Sequence, residues 1–369
     1  MKLPKLALLS AANSVHTHRW VNALSEYFHV SLFSLDIHRD VTAAIKDTVE
    51  VVYLPSSGKM SYFKAHKELN KILKGRDFDI YNAHYASGYG TILRLSRRRP
   101  AVLNFWGSDI FEFPNKTLIH KWILKKNIQF ADVIVSTSHI MAEEIKRVFP
   151  GLKQNIHVVP FGVELEQFKY EQRTLDDIVR LGTCKILSPV YAIDDMIKAF
   201  AMAREMQKKE GRCLKLELFG DGPSRSELER LVAELGLQDS VTFHGWVDHR
   251  VLPEALSKLD LFLLSSVTES FGVSAIEAMA AGIPVVATQT PGFSEVILDG
   301  VTGSLVPVHD PEAMCLEINR LLNNQRLYQS FAMAGRTRVE EMYNWQDNVR
   351  RFADILRLTI TSSAGAQQQ

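Results

Sequence analysis

The chain is poor in cysteine and has no long apolar run. Its three cysteines, Cys184, Cys213 and Cys315, are odd in number and far apart. We therefore expect a reducing compartment, no disulfide framework and no metal cluster. No stretch of roughly eighteen apolar residues occurs, which argues against a membrane-spanning helix. The first ten residues lead directly into a strand pattern without a signal-peptide cleavage region. These features predict a soluble, cytoplasmic protein.

Glycine is missing where a dinucleotide-binding fold needs it. Gly220-Asp-Gly222 follows a predicted strand, but Arg225 occupies the third glycine position of the fingerprint. The first predicted strand is followed by Ser10–Ser14, which has no glycine. A nicotinamide-dependent dehydrogenase is therefore disfavoured. Gly220 and Gly222 are predicted to let a loop approach a nucleotide, to form a tight strand-to-helix turn, or both.

The net charge of +1 conceals a division along the chain. Residues 1–165 carry 22 Lys/Arg against 14 Asp/Glu, a net charge of +8, and the remainder carries 21 against 28, a net charge of −7. A basic N-terminal half predicts an anionic partner. The segment Lys116–Lys126 has Lys and His on one side and apolar side chains on the other, namely Leu118, Ile119, Trp122 and Ile123. It is either an interfacial membrane-binding helix or an ordinary core-facing helix with a basic solvated face. No recognition motif favours nucleic acid.

Strand and helix patterns alternate in two series, which predicts an α/β protein with parallel, doubly wound sheets. A Pro- and Gly-containing break at Val159–Glu164 separates them. We predict a first domain over 1–165, a second over 166–343, a last helix at about 344–360, and a disordered tail over 361–369. Ligands of such sheets bind outside the carboxyl ends of the strands.

The most informative motif is Glu269–Glu277, with an acidic residue at each end. It follows a buried-strand pattern and leads into a helix that stops at Gly282. The loop at Phe271–Gly272 offers free backbone N–H groups and the positive end of a helix, which suit a diphosphate. A carboxylate accepts two sugar hydroxyls at once. The motif predicts a nucleotide-sugar site; a solvated helix carboxylate beside a capping glutamate is the alternative.

Several further segments accompany this motif. They are Leu218–Pro223, Val241–Val247, Ala280–Ala287, Pro291–Val296 and Gly300–Gly303. Together, residues 182–345 resemble the donor half of a glycosyltransferase family 4 enzyme. The resemblance implies the GT-B fold, with two Rossmann-like domains facing across a cleft, the last helix packing back on the first domain, a nucleotide-sugar co-substrate, no metal, and retention of anomeric configuration. A metal site at Asp77-Phe-Asp79 or around His16 is disfavoured.

The resemblance also implies roles for residues of the second half. Glu277 is expected to bind the ribose diol of a UDP- or GDP-sugar and Glu269 to orient donor-sugar hydroxyls. The remaining donor-binding candidates are Lys185, Tyr191, Gly220, Gly222, Trp246, Val247, Ser270, Phe271, Gly272 and Val273. Tyr191 stands where the family usually has a lysine directed at the diphosphate. Its hydroxyl can donate one hydrogen bond to a phosphate but carries no charge. Arg19 or the helix end at Phe271–Val273 is therefore expected to supply the missing charge stabilisation. Lys185 is either a diphosphate ligand or a solvent-facing strand residue.

A second departure lies at Trp106, where many relatives have histidine. Trp106 offers a stacking face for a sugar but cannot take a proton near neutral pH. Asp109 and His84 are therefore the catalytic candidates beside Glu269, with a turn or capping role as the alternative for Asp109. The loop 11–19 is expected to face the acceptor through side chains that, with Trp106, form the acceptor set: Ser14, His16 and Arg19.

The expected function is retaining transfer to a glycan or lipid-linked acceptor in cell-surface polysaccharide synthesis, such as that of capsule, exopolysaccharide or lipopolysaccharide. The basic first half suggests work at the cytoplasmic face of a membrane. No residue stands out as a covalent nucleophile, so the resemblance implies front-face attack assisted by the leaving phosphate. Two alternatives remain: a non-catalytic nucleotide-sugar- or glycan-binding subunit, and a phosphorylase or hydrolase on a related fold.

Overall fold

The chain forms two compact α/β units. The computed structural model describes residues 2–56, 58–248 and 251–366. Met1–Pro160 and Asp347–Gln369 make up the first unit, and Phe161–Gln346 the second. The first unit thus ends at Pro160 rather than at the predicted residue 165, and the last segment of the chain groups with it.

The first unit contains a seven-stranded parallel sheet in the order β3-β2-β1-β4-β5-β6-β7. Its strands are β1 (Lys5–Leu9), β2 (His29–Leu35), β3 (Glu50–Leu54), β4 (Ile80–His84), β5 (Ala101–Phe105), β6 (Val133–Ser136) and β7 (Asn155–Val158). Its helices are α1 (Val15–Leu24), α2 (Ser61–Ile72), α3 (Gly88–Ser96), α4 (Ser108–Phe111), α5 (Phe113–Lys116), α6 (Leu118–Phe130) and α7 (His139–Val148).

The second unit contains a six-stranded parallel sheet in the order β10-β9-β8-β11-β12-β13. Its strands are β8 (Ile178–Cys184), β9 (Cys213–Phe219), β10 (Val241–Gly245), β11 (Leu261–Leu264), β12 (Val285–Thr288) and β13 (Ser304–Val306). The helices are α8 (Ile193–Lys209), α9 (Arg225–Glu234), α10 (Leu252–Leu256), α11 (Val273–Ala280), α12 (Pro291–Val296), α13 (Pro311–Leu322) and α14 (Gln325–Met342), followed by α15 (Trp345–Ala366).

The central strands are buried on both faces, as parallel strands covered by helices require. Every residue of β4, β5, β11 and β12 is buried. Separate apolar cores form in the two units, one around Leu9, Phe33 and Ile134 and the other around Leu216 and Leu263. The two parallel sheets confirm the predicted α/β class.

The last helix, α15, packs within the first unit. Phe352 meets Trp20 of α1 edge to face at 5.0 Å between ring centroids, and the Arg357 guanidinium lies 5.4 Å from the ring centroid of Tyr27. The helix extends through Ala366, so the predicted disorder of 361–366 is wrong. The physical reason is that hydroxyls such as that of Thr361 donate back to carbonyls of the preceding turn and alanine favours the helix. Residues 367–369 of the predicted tail lie outside the described residues.

No helix within the described ranges is long and apolar enough to cross a bilayer.

Candidate functional site

The strand order of the second unit reverses between β8 and β11. Ligands of doubly wound sheets bind beyond the carboxyl ends of the strands at such a reversal. Lys185 directly follows β8, and Glu269 lies in the segment after β11. Two predicted site residues therefore lie at the position that the topology favours for a ligand.

Lys185 and Glu269 form an ion pair. The Lys185 Nζ donates to Glu269 Oε2 at 2.7 Å, and the two side chains are only 13% and 17% exposed. The same Nζ lies 5.0 Å from the ring centroid of Tyr191 and 5.8 Å from that of Phe293. A carboxylate and two aromatic rings thus surround one ammonium group. The alternative of Lys185 as a solvent-facing strand residue is wrong, because β8 ends before it and its side chain turns inward.

Tyr191, which stands where the family usually has a lysine, lies beside the Lys185 ammonium group. The Tyr191 ring centroid lies 5.0 Å from the Lys185 Nζ, and the Tyr191 backbone carbonyl accepts a hydrogen bond from the Ser265 hydroxyl at 2.7 Å. We infer that Tyr191 positions Lys185. Direct hydrogen bonding of its hydroxyl to a phosphate stays a prediction.

The segment that contains Glu269 leads into the start of α11, where the first N–H groups have no partner inside the helix. Gly272 is its N-cap, with a left-handed φ of 99°, and no side chain caps the first turn. Phe271 is buried, and its ring contacts Phe161 and Tyr343 with centroids 5.6 and 5.9 Å apart. Phe271 therefore anchors the loop through its side chain, and a helix start such as that at Gly272 and Val273 offers the kind of N–H groups that bind anions.

Glu277 lies deeper in α11 and is 5% exposed. Burial, together with the nearby charge of Glu277, raises the pKa of the Cys184 thiol to about 11. Cys184 is the last residue of β8 and directly precedes Lys185. The two acidic ends of the motif and Lys185 therefore gather around the end of one strand, and a solvated position for Glu277 is excluded.

Glycines allow the loops of this site to approach one another closely. A Cβ on Gly220, whose φ is 140°, would lie 1.9 Å from the Lys185 carbonyl oxygen, and one on Gly222 would lie 2.4 Å from that of Leu187. A side chain at either position would collide with the backbone of Lys185 or Leu187, so both positions require glycine. This agrees with the predicted tight turn. Gly292 makes a similar approach, with its Cβ position 2.5 Å from the Phe271 nitrogen. It was not among the predicted site residues, although it belongs to the quoted Pro291–Val296 segment.

The predicted base-contacting segment begins at the end of β10. Gly220 N–H donates to the Gly245 carbonyl at 2.8 Å, which places Trp246 beside the Gly220 turn. Trp246 is 76% exposed and Val247 is half-buried. Their contact with a nucleotide base stays a prediction.

In the first unit, both carboxylate oxygens of Asp109 accept hydrogen bonds from neighbouring residues. It is 1% exposed; Oδ1 accepts from the Ser87 N–H and hydroxyl, and Oδ2 accepts from the Trp106 N–H. Burial raises the pKa of this carboxyl against the opposing effect of the hydrogen bonds. The geometry favours the capping alternative, so we regard Asp109 as a positioning residue that joins two loops rather than as a group that touches a sugar.

His84 is completely buried at the end of β4. Neither ring nitrogen has a hydrogen-bond partner among the described residues, and the ring lies 4.4 Å from that of Trp106 between centroids. Burial, together with His16, lowers the pKa of His84 to about 3. The imidazole is therefore neutral near pH 7, and its burial argues against the predicted catalytic contact.

Trp106 is the centre of an aromatic cluster. Its ring is 9% exposed and packs against His84, Tyr85 and His16, the latter two at 4.9 and 5.9 Å between centroids. The free stacking face that was predicted for Trp106 is thus occupied by protein. Ser14 joins the same neighbourhood through its hydrogen bond to Tyr85. Arg19 lies in α1, half-buried, and its expected role toward the diphosphate stays a prediction.

Metal-ligating residues are not gathered in the part of the chain that the structure describes. It contains no group of three or more His, Cys, Asp or Glu side chains suited to one ion. Asp79 of the Asp77–Asp79 segment accepts instead from the Lys5 N–H at 2.7 Å.

Both halves of the chain match models of known glycosyltransferases. Residues 180–338 match the model described as glycosyl transferases group 1, and residues 5–138 match glycosyl transferase 4-like. N-acetyl-alpha-D-glucosaminyl L-malate synthase of Bacillus anthracis is 28% identical over 78% of this chain and 77% of its own length.

Solved structures share the fold at lower identity. Sucrose-phosphate synthase of Thermosynechococcus elongatus superposes with a TM-score of 0.78 and 20% identity over 97% of this chain and all of that one. The HepE protein of Anabaena, in complex with UDP-glucose, gives a TM-score of 0.74 and 17% identity over 96% and 99%. The two α/β units are thus of the GT-B type. By its motifs, its fold and its relatives, the chain belongs to the family-4-like glycosyltransferases.

Proposed function

We propose that the protein transfers a sugar from a UDP- or GDP-sugar to a glycan or lipid-linked acceptor with retention of anomeric configuration. The observation that carries the proposal is the Lys185–Glu269 pair beside the uncapped α11 N-terminus at the strand reversal. The Lys185 ammonium and the N–H groups of the first α11 turn suit a diphosphate, and the two nearby carboxylates suit sugar hydroxyls. The HepE complex with UDP-glucose supports this choice of donor.

Each side chain then has a distinct task. Lys185 neutralises the diphosphate as the bond to the sugar breaks, together with the α11 N–H groups. Glu269 holds Lys185 in the free protein and binds donor-sugar hydroxyls in the complex. Glu277 accepts the ribose diol. No metal is required, because the protein supplies the positive charge itself.

The reaction balances without a covalent enzyme intermediate. The acceptor hydroxyl oxygen bonds to the anomeric carbon on the face from which the leaving group departs. The bond between that carbon and the diphosphate oxygen breaks, and the hydroxyl proton passes to the leaving phosphate. The first unit holds the acceptor, and exclusion of water prevents hydrolysis of the donor.

The anomeric outcome tests this proposal directly. The purified protein is incubated with UDP- and GDP-sugars and a fraction of membrane lipids and glycans, and the product linkage is assigned by NMR. We expect nucleoside diphosphate release that depends on acceptor and a product with the anomeric configuration of the donor. Donor binding without turnover would indicate a binding subunit. Sugar release that needs only inorganic phosphate or water would indicate a phosphorylase or hydrolase, and an inverted product would contradict the retaining mechanism.

Exposed apolar side chains and lysines on and beside α6 support binding to a membrane. Leu118, Ile119 and Trp122 are 86%, 68% and 55% exposed, whereas Ile123 and Leu124 pack into the core. Three of the four apolar side chains on the predicted face are therefore turned to solvent. Beside them, a groove of about 570 Å³ is lined by Trp122 and by lysines that form no ion pair among the described residues: Lys121, Lys125 and Lys153. We define the outer α6 surface by these six residues.

We propose that the outer α6 surface binds the anionic cytoplasmic face of a membrane. Exposed Leu and Trp enter the interface, and each lysine near anionic lipid contributes about 1 kcal/mol. Such contact brings the protein to lipid-linked acceptors and is consistent with a role in cell-surface polysaccharide synthesis.

Co-sedimentation with vesicles tests the surface. Wild-type protein is expected to bind vesicles containing phosphatidylglycerol but not pure phosphatidylcholine. The double variant Leu118→Ser/Trp122→Ser should lose at least about tenfold in partitioning, because burial of each large side chain is worth roughly 1.5–3 kcal/mol. Leu316→Ser/Met333→Ser, at two exposed positions of the second unit, is the matched control and should bind like wild type. Equal partitioning of both variants, or concentration-dependent dimerisation without vesicle binding, would refute membrane contact.

A further inference from the structure

The short helix α12 touches the Lys185–Glu269 pair from one side. The Gly292 N–H donates to the Glu269 carbonyl at 2.9 Å, and the Phe293 ring centroid lies 5.8 Å from the Lys185 Nζ. A Cβ added to Gly272 would lie 3.0 Å from the Phe293 ring, so α12 also packs on the start of α11. The position of α12 therefore affects three parts of the proposed donor site.

This helix needs support from other elements. It has six residues, Pro291–Val296, too few for a helix to be stable by itself. Its first turn is capped by the Thr290 hydroxyl, which accepts from the Phe293 N–H at 3.4 Å. The last carbonyls of a helix have no partner inside it. Hydrogen bonds to those carbonyls are therefore needed to fix the C-terminal end of α12.

Arg338 of α14 supplies these hydrogen bonds. Its Nε donates to the Val296 carbonyl and its Nη2 to the Glu295 carbonyl, both at 2.8 Å. One planar guanidinium thus binds two carbonyls, and its positive charge lies at the negative end of the helix dipole. The Tyr343 hydroxyl donates to the same Glu295 carbonyl at 3.3 Å, and the Tyr343 ring packs on Phe271. Arg338 is therefore connected to the loop before α11 both through α12 and through Tyr343.

A neighbouring arginine of α14 makes a broader set of contacts. Arg336 donates to the carbonyls of Ala280 at 2.6 Å and Phe168 at 2.8 Å, and it pairs with Glu340. In the described part of the chain, by contrast, the side-chain hydrogen bonds of Arg338 go to α12 alone. Removal of Arg338 therefore disturbs α12 more selectively than removal of Arg336 would.

We propose that Arg338 is a positioning residue for sugar transfer. By fixing the C-terminal end of α12, it holds the Gly292 N–H and the Phe293 ring against the Lys185–Glu269 pair. The inference rests on the proposed function, in which Lys185 neutralises the leaving diphosphate. Arg338 acts through α12 and not by contact with the substrate, and a displacement of about 1 Å at a group that acts on the reacting bond can cost about 100-fold in rate.

A double-mutant cycle on kcat tests this role. We expect Arg338→Met to lower kcat per folded protein by about tenfold or more through misplacement of Lys185. In a Lys185→Met background the same change should alter kcat by less than about twofold, because the group that Arg338 positions is already absent. Arg338→Lys keeps the charge at the helix end and should retain more activity than Arg338→Met. Arg326→Met, at an exposed position of α14, is the control and should behave as wild type.

Two kinetic results would overturn the proposal. One is a wild-type kcat in folded Arg338→Met protein. The other is an equal loss on adding Arg338→Met to wild type and to Lys185→Met, because a general structural effect multiplies in both backgrounds.

Amide hydrogen exchange separates this inference from the proposed function, because it needs no substrate. Arg338→Met should speed exchange by about tenfold or more in residues 291–297 and 269–277, with the strands of the first unit unchanged. Unchanged exchange in 269–277 would overturn the positioning role even if kcat falls. Faster exchange there, in a protein whose wild type responds to no UDP- or GDP-sugar, would contradict the proposed function and leave the link from Arg338 to Glu269 standing.

Discussion

Replacement of Lys185 with methionine is expected to lower kcat for sugar transfer by about 100-fold or more. Lys185 is the charged group at the strand reversal, held at 2.7 Å by Glu269 and flanked by the rings of Tyr191 and Phe293. A preorganised donor of this kind acts mainly when negative charge develops on the leaving diphosphate, and removal of one such donor typically lowers kcat by 10²–10³. The measurement is the steady-state rate of nucleoside diphosphate release, with the product confirmed by mass.

Two further variants separate charge from structure. Lys185→Arg keeps the charge and should retain more activity than Lys185→Met, although its planar fork does not reproduce the geometry of an ammonium group. Lys185→Met also leaves the largely buried Glu269 carboxylate without its partner, so Lys185→Met/Glu269→Gln is measured beside it, with thermal midpoints for all variants. A folded Lys185→Met protein with wild-type kcat would show that the diphosphate is stabilised elsewhere.

Replacement of Glu277 with glutamine is expected to raise the donor Kd by roughly 10- to 100-fold with a smaller change in kcat. Hydrogen bonds to a charged group are worth about 1.5–3 kcal/mol, and about 1.4 kcal/mol corresponds to a factor of ten. Glutamine preserves the volume of this buried side chain but cannot accept two hydroxyls through equivalent charged oxygens. Because the ribose is remote from the reacting bond, the loss should appear mainly in binding.

A modified donor makes the assignment to ribose specific. Wild-type protein should discriminate against a 2′-deoxyribose nucleotide-sugar, and Glu277→Gln should discriminate much less. Glu234→Gln, at an exposed position of α9, is the matched control and should behave as wild type. Equal discrimination by Glu277→Gln and wild type would remove Glu277 from the ribose.

The positions of the residues in the proposed donor site could be predicted because they lie on or next to regular elements. Glu269–Glu277 includes the start of α11, and Lys185 follows β8, so strand periodicity and helix signals place them at the same sheet edge. The strand β3 (Glu50–Leu54) was not predicted, since it lies at the edge of the sheet and only its last residue, Leu54, is buried. Edge strands carry a weaker pattern than buried central strands.

The roles of Asp109, His84 and Trp106 could not be predicted, because they depend on burial and on partners distant in sequence. The hydrogen bonds of Asp109 reach Ser87, and the Trp106 ring is covered by residues from α1 and from the end of β4. The same limit applies to Gly292. A larger residue there would collide with the backbone of Glu269–Phe271, which is distant in sequence. Sequence identifies these residue types, but only the packed loops show which face a ligand.

Calorimetric titration of nucleotide-sugars tests whether the β8–β11 reversal holds a metal-free donor site. Wild-type protein and the Glu277→Gln and Lys185→Met variants are titrated with UDP- and GDP-sugars in the presence of EDTA. We predict saturable binding of one nucleotide-sugar to wild-type protein, with affinity reduced in both variants, each of them still folded at the temperature of the titration. Wild-type affinity in both folded variants, or binding that disappears in EDTA, would contradict a metal-free donor site at the β8–β11 reversal.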